Sequence, residues 1–184
     1  MSQKALTTNQ MAEISLLIAI AVVIELITMS LPLPRMPQGG SIDFTMLPLI
    51  IIAYRHGFKI GIIGGMIYSL LDLIVGGLGL YHWGSLFLDY LFAFGAMGLA
   101  ALVFKINKEN IIVFILGILL AGLVRFFFHF LSGVILFGEF APDDQPVVEY
   151  SLFYNAGYML PSIAITMLLG ALVFLRLKQT LNTA

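Results

Sequence analysis

The chain has 184 residues, of which 60% are hydrophobic and only 10% are charged, whereas soluble domains are about 25% charged. This composition indicates a membrane protein. Nine Lys and Arg residues against ten Asp and Glu leave a formal net charge of −1, which lacks the basic excess of a nucleic-acid-binding surface and argues against a nucleic-acid partner.

Six apolar segments follow one another along the chain, separated by polar interruptions. Because a spanning helix needs about 20 mainly apolar residues, they predict an all-α integral membrane protein with six transmembrane helices in a single domain. The second segment is too short to span alone, and it meets the third at a turn-like break at 54–57. The predicted spans cover residues 12–31, 44–54, 57–77, 84–104, 111–137 and 152–175.

The cations fall almost entirely on one side of these spans. With the N-terminus inside, seven of the nine lie in inner segments, Arg35 lies outside and Arg125 lies within span five. Short cytoplasmic loops retain Lys and Arg, so both termini are predicted to be cytoplasmic. The inner cations are Lys4, Arg55, Lys59, Lys105, Lys108, Arg176 and Lys178.

Several polar side chains lie within the predicted spans, where such groups usually face the bundle interior or a water-filled cavity. At a rise of about 1.5 Å per residue, all of them fall in the outer half of a core about 30 Å thick. A proton or ion path would place polar groups along the whole depth, so this distribution predicts a pocket that opens to the outside. The residues are Glu25, Asp72, Asp89, Arg125, His129 and Asn155. Glu25 has an open alternative, since it could equally face a partner helix or lipid headgroups.

Span five predicts one wall of this pocket. Arg125, His129, Gly133 and Phe137 recur every four residues and therefore drift slowly around one helical face. Two alternatives remain open. Gly133 could serve helix packing instead of approach to a ligand, and Arg125 could form a structural ion pair with Asp89 or Asp72.

Aromatic and acidic residues adjoin each other at the same depth. Tyr68 and Asp72 are spaced i, i+4 on span three, and Asp89 precedes Tyr90 on span four. Rings offer stacking and cation–π contact, and carboxylates offer charge-assisted hydrogen bonds. Such a lining suits a flat heteroaromatic ligand that carries positive charge.

The first outer loop, residues 31–43, is rich in Pro and Gly. It is therefore predicted to be irregular and to fold over the outer mouth. We expect it to act as a lid, with Gln38, Gly39 and Gly40 over the ligand.

Four motifs in order resemble those of a known family, the thiamine-specific substrate-binding (S) components of energy-coupling factor (ECF) transporters. The similar stretches are PQGGSI at 37–42 with MLP at 46–48, LDY at 88–90 with AF at 93–94, RFFFHFLSG at 125–133 with FG at 137–138, and YSLFYN at 150–155. The resemblance runs over nearly the whole chain, and four ordered matches are more specific than any one of them.

This resemblance implies a multi-pass protein of a prokaryotic cell membrane that captures thiamine from outside. It implies no catalytic residue, no cofactor and no metal. The energy would come from a transmembrane coupling subunit and two cytosolic ATPases, which fits the lack of a P-loop pattern in this sequence. The implied thiamine-binding residues are Asp89, Tyr90, Arg125, His129, Gly133, Phe137, Tyr150 and Asn155, with Tyr68 as a stacking aromatic.

The sequence departs from the family pattern at several positions. Trp83 and Ser85 replace a Pro and a Gln, Arg125 and Phe137 stand where Lys and Trp can occur, and Asp43 stands where Ser is common. In this family, small residues on the first helix in an A-x-x-x-A pattern dock the coupling subunit. The corresponding residues here are Ala19 and Val23.

Three alternatives to thiamine capture remain. The ligand could be a related heteroaromatic, such as the thiamine pyrimidine or a pyridoxine-type compound. The protein could instead be a stand-alone gradient-driven carrier, with Glu25 or Asp72 as a proton site. An intramembrane enzyme has little support, because neither G-x-S-x-G nor H-E-x-x-H occurs.

Overall fold

The computed structural model describes residues 5–76 and 80–181. The described chain is all-α, as predicted, and is built on six helices. In chain order they are α1 (Thr8–Ser30), α2 (Met46–His56), α3 (Phe58–Val75), α4 (Leu86–Phe104), α5 (Ile111–Ile135) and α6 (Val147–Leu181). Five stretches of helix are long and apolar enough to cross a membrane, and α2 is shorter. The predicted end of span three, at 77, and Lys4 lie outside the described residues.

Two helices begin before their apolar segments, whereas α5 begins at Ile111, as predicted. α1 starts at Thr8 because Thr7 forms a capping box with Gln10, in which each side chain accepts a hydrogen bond from the other residue's backbone N–H. α6 starts at Val147, not at 152, and its first turn includes Glu149. A helical backbone tolerates such polar residues once it leaves the hydrocarbon region, so hydropathy alone places these helix ends too far inward.

The short helix α2 lies at the centre of the bundle. All of its residues from Met46 to Tyr54 are buried except Ile51, and it contacts all five other helices. Because protein surrounds it, α2 does not need the length of a lipid-facing span. Gly57 ends α2 and precedes α3 with φ at 85°, a left-handed conformation that glycine adopts without strain.

The helix α4 is irregular. Its first part, Leu86–Phe92, is π-helical, Ala96–Leu99 forms a 3₁₀ turn, and Ala100–Phe104 returns to α-helical geometry. Single π turns inside helices are rare and frequently occur at functional sites. Hydropathy predicts the span at 84–104 but does not indicate its π-helical part.

Glycine contacts bring α3 and α4 together. A Cβ built at Gly98 would lie 2.5 Å from both Cγ1 and the backbone N of Ile62. A Cβ built at Gly61 would lie 2.8 Å from the Cα of Gly98. The two backbones approach so closely that no side chain fits between them, which is the usual role of small residues between membrane helices.

We therefore expect Gly98→Ala to destabilise the protein. The added methyl group must displace backbone atoms of α3, and overpacking of this kind costs about 1 to 3 kcal/mol. Thermal unfolding of the purified protein in detergent measures the effect.

Gly157→Ala is the matched control. Its new Cβ would meet only the Met36 side chain, at 3.9 Å, so the same substitution within a helix should leave the unfolding temperature unchanged or slightly raised. Equal unfolding temperatures for both variants would contradict the close packing of α3 on α4.

Candidate ligand-binding site

A cavity of about 690 Å³ opens between the helices beneath the 31–43 loop. This volume is in the range of small-molecule sites, roughly 300 to 1,000 Å³. Eight of the nine predicted binding residues line it, as do the three expected lid residues. The eight are Asp89, Tyr90, Arg125, His129, Gly133, Phe137, Tyr150 and Asn155.

The Asp89 carboxylate is held by three side chains. Its Oδ1 lies 2.9 Å from His129 Nδ1, and its Oδ2 accepts hydrogen bonds from the hydroxyls of Ser132, at 2.5 Å, and Ser85. Asp89 belongs to the π-helical part of α4, whereas His129 and Ser132 belong to α5. This carboxylate therefore joins two helices and is fixed in position at the cavity wall.

The hydrogen bonds of His129 assign its tautomer. The Nε of Arg125 donates to Nε2 of His129, at 3.3 Å, and because an arginine N–H can only donate, Nε2 carries no proton. Nδ1 then carries the proton and donates to Asp89. The imidazole is consequently neutral and links a guanidinium to a carboxylate.

Arg125 pairs with a residue that the sequence analysis did not expect. Its Nη2 lies 3.4 Å from Oδ2 of Asp43, not beside Asp89 or Asp72, and the guanidinium lies over the Phe94 ring at 4.2 Å. Both partners of the ion pair are buried.

A local signal for Asp43 was present in the sequence. Its Oδ1 accepts from the backbone N–H of Thr45, at 3.0 Å, and from the Thr45 hydroxyl, at 2.6 Å. An Asp two residues before a Thr often forms such a turn ahead of a helix, which fixes the carboxylate at the start of α2. In the sequence, Asp43 stands out only as a departure from the family pattern that follows residues 37–42.

Acidic groups outnumber cations among the described lining residues. Four carboxyl groups line the cavity, against the guanidinium groups of Arg35 and Arg125. Arg125 forms its ion pair through Nη2, while its buried Nη1 has no hydrogen-bond partner among the described residues. Arg35 is exposed and donates to the Met29 carbonyl. The cavity therefore offers negative charge to a ligand. The four acidic residues are Glu25, Asp43, Asp72 and Asp89.

Gly133 and Asn155 lie where α5 and α6 meet. A Cβ on Gly133 would overlap Ser151 and would lie 3.2 Å from Asn155 Nδ2, so this glycine allows the two helices to pack closely. Asn155 Nδ2 donates to the Ser151 carbonyl, at 2.8 Å, and Asn155 Oδ1 accepts from the Tyr158 hydroxyl, at 2.8 Å. The packing role that we considered for Gly133 is thus present, and it brings Asn155 to the cavity.

Tyr68 does not line the cavity. Its ring is fully buried and packs edge-on against Phe94, with 4.9 Å between ring centroids. Its hydroxyl lies 3.4 Å from Asp72 Oδ1. The side chain thus points into the core and supports Asp72 from behind, and its stacking role stays a prediction.

The aromatic lining comes instead from α6 and from residues near the ends of α4 and α5. Tyr150, Tyr154 and Tyr158 follow each other along α6, with ring centroids 5.6 Å and 6.5 Å apart. Phe137, just beyond the end of α5, packs against Tyr81 at 6.4 Å. These rings give a flat ligand several surfaces on which to stack.

The Tyr154 hydroxyl group joins the 31–43 loop to α6 over the cavity. Tyr154 Oη accepts from the backbone N–H of Gln38 and donates to the carbonyl of Gly39, both at 2.9 Å. Gly40 has φ at 97° and lies against the Tyr158 ring, which leaves no room for a side chain. Gln38 Oε1 is buried without a hydrogen-bond partner among the described residues.

The two residues expected to dock a partner subunit lie away from the cavity. Ala19 and Val23 are exposed on the outward face of α1. In the described ranges, no group of three or more His, Cys, Asp or Glu side chains is arranged to hold a metal ion.

Comparisons with known proteins agree with one another. The family model described as thiamine transporter protein (Thia_YuaJ) matches residues 11–182. Thiamine transporter ThiT of Bacillus subtilis (strain 168) is 34% identical over 184 residues, which cover 95% of this chain and 94% of the relative. Thiamine transporter ThiT of Lacticaseibacillus paracasei is 31% identical over 140 residues, 68% of each chain.

A solved structure of ThiT from Listeria monocytogenes has the same fold. It matches with a TM-score of 0.75 at 20% identity, covering 90% of this chain and 92% of that chain. Together with the family match, this shows that the helices follow the fold of that structure. The chain belongs to the thiamine transporter protein (Thia_YuaJ) family.

Proposed function

We propose that this multi-pass membrane protein binds thiamine in the cavity beneath the 31–43 loop and passes it to an energised import complex. The observation that carries the proposal is the excess of acidic groups in a cavity that is also lined with aromatic rings. Thiamine joins an aminopyrimidine ring to a thiazolium ring that bears a permanent positive charge. Stacking surfaces and carboxylates are the groups that bind such a molecule.

The α5–α6 side of the cavity suits the aminopyrimidine. Asp89 and Asn155 present a carboxylate and an amide group there, and His129 and the neighbouring tyrosines supply rings. A planar heterocycle with an exocyclic amino group and ring nitrogens can form hydrogen bonds to both kinds of group. The binding residues proposed are the eight lining residues named above, together with Gln38.

The energy for transport is proposed to come from other subunits. A transmembrane coupling subunit and two cytosolic ATPases would act on this chain, and the exposed Ala19 and Val23 on α1 would form part of the docking surface. The sequence contains no P-loop of its own. The alternative is a gradient-driven carrier with a proton site at Glu25 or Asp72. It would use the same acidic residues that line the cavity.

Asp89→Asn and Asn155→Ala should each weaken thiamine binding by about tenfold or more. Each change leaves buried hydrogen-bonding groups without a partner, at about 1 to 3 kcal/mol. Calorimetric titration of the purified variants measures the loss, and unfolding temperatures without ligand establish that they are folded. Asp143→Asn, in the exposed loop before α6, removes the same charge outside the cavity and should bind like the wild type. Wild-type affinity in both cavity variants would contradict the assignment of the site.

Tyr154→Phe should speed the dissociation of thiamine severalfold. The substitution keeps the ring but removes the hydroxyl that joins α6 to Gln38 and Gly39, so a closed loop would open more often. Stopped-flow fluorescence measures the rate. The control is Tyr54→Phe, which removes a hydroxyl bonded to the Lys108 carbonyl at the other end of the bundle. Equal dissociation rates in the wild type and Tyr154→Phe would contradict the proposal that the loop acts as a lid.

The purified chain in liposomes should bind thiamine without accumulating it under a proton or sodium gradient. Accumulation requires coupling to an energy source, which the proposed function assigns to other subunits. Uptake of radiolabelled thiamine with and without each gradient tests this directly. Accumulation driven by a gradient alone would support the carrier alternative and would refute the need for partner subunits.

A further inference from the structure

The helix α1 carries two acidic side chains that differ in their surroundings. Glu13 forms an ion pair with Arg55 and lies 3.2 Å from the His56 ring. Glu25 lies about three turns further along the helix, lines the cavity and forms no ion pair within the described ranges. Its side chain receives one long hydrogen bond, 3.4 Å from the Thr28 hydroxyl on the same helix.

The groups around Glu25 do not neutralise it. The charged residues close enough to act on it are Asp72, Asp43 and Arg125, and two of these three are acidic. Arg125 is already engaged by Asp43 and His129. An acidic group inside a membrane protein usually pairs with another group and marks a ligand path, and a cationic ligand in the cavity can supply that partner.

Glu25 lies on a different wall of the cavity from the groups that suit the uncharged aminopyrimidine ring. Glu25 belongs to α1, which packs on α2 and α3, whereas Asn155 and His129 belong to the tightly packed pair α5 and α6. The cavity thus presents hydrogen-bonding groups on one wall and an unpaired acidic group on another.

We propose that Glu25 receives the cationic ring of the ligand and makes this cavity selective for positive charge as well as for ring shape. The inference rests on the proposed function, since it takes thiamine as the ligand. With the aminopyrimidine on the α5–α6 wall, the thiazolium ring extends toward α1, where Glu25 is its counter-charge. Glu25 is then a specificity-determining residue.

Two ligands and two proteins test this assignment. The ligands are thiamine and its uncharged isostere, in which a thiophene ring replaces the thiazolium ring. The proteins are the full-length wild type and Glu25→Gln, which keeps the shape of the side chain and removes its charge. Calorimetric titration gives the four dissociation constants.

The wild type should bind thiamine more tightly than the isostere by about tenfold or more, as expected for a charge-assisted contact. Glu25→Gln should lose this preference, because its affinity for thiamine falls while its affinity for the isostere stays the same. Glu25→Asp keeps the charge and should retain part of the preference. Glu149→Gln, in the exposed first turn of α6, removes a charge outside the cavity and should keep all of it.

Equal wild-type affinity for the two ligands would overturn the inference, and this comparison does not depend on whether any variant folds. An equal loss for both ligands in Glu25→Gln would overturn it as well, since Glu25 would then only support the shape of the cavity. Failure of the wild type to bind either ligand would instead refute the proposed function.

Discussion

The ion pair between Arg125 and Asp43 is the constraint on which the cavity depends. A guanidinium remains charged inside a protein and must be paired there, and the partners of Arg125 come from separate parts of the chain. Asp43 precedes α2, Phe94 lies on α4, and His129 lies one turn further along α5. The contacts of this one cation therefore bring three segments together at the cavity wall.

The hydrogen bonds that join Arg125, His129 and Asp89 all run in one direction. Neutral His129 lies between Arg125 and Asp89, so a chain of donors runs from the guanidinium to the carboxylate. Asp89 also accepts from two serine hydroxyls, which leaves it well solvated by protein although it lies in a membrane span. Pre-organised polar groups of this kind bind a ligand without a large cost of rearrangement.

Much of this arrangement could be predicted from the sequence. Hydropathy predicted six helices. The four-residue spacing of Arg125, His129 and Gly133 predicted one wall of the cavity, because helical periodicity fixes which side chains share a face. Orientation in the membrane rests on the distribution of cations and stays a prediction.

Other features depended on contacts that spacing does not encode. The partner of Arg125 lies 82 positions away in the chain, and nothing in helical periodicity distinguishes Asp43 from Asp72 or Asp89. Tyr68 was expected in the cavity because it precedes Asp72 by one turn, yet a side chain one turn away can point into the core. Its ring packs against Phe94, and this contact involves a different helix.

The π-helical part of α4 sets the direction in which Asp89 points. Residues 86–92 contain a wide turn, which accommodates one residue more than regular α-helical geometry would. If the same residues formed a regular α-helix, the part of α4 on one side would rotate by about 100° relative to the part on the other side, and Asp89 would leave the side of α4 that faces His129. The wide turn therefore allows Asp89 and the glycine contact at Gly98 to be in place together, and the backbone geometry between them is as much a part of the site as the side chains themselves.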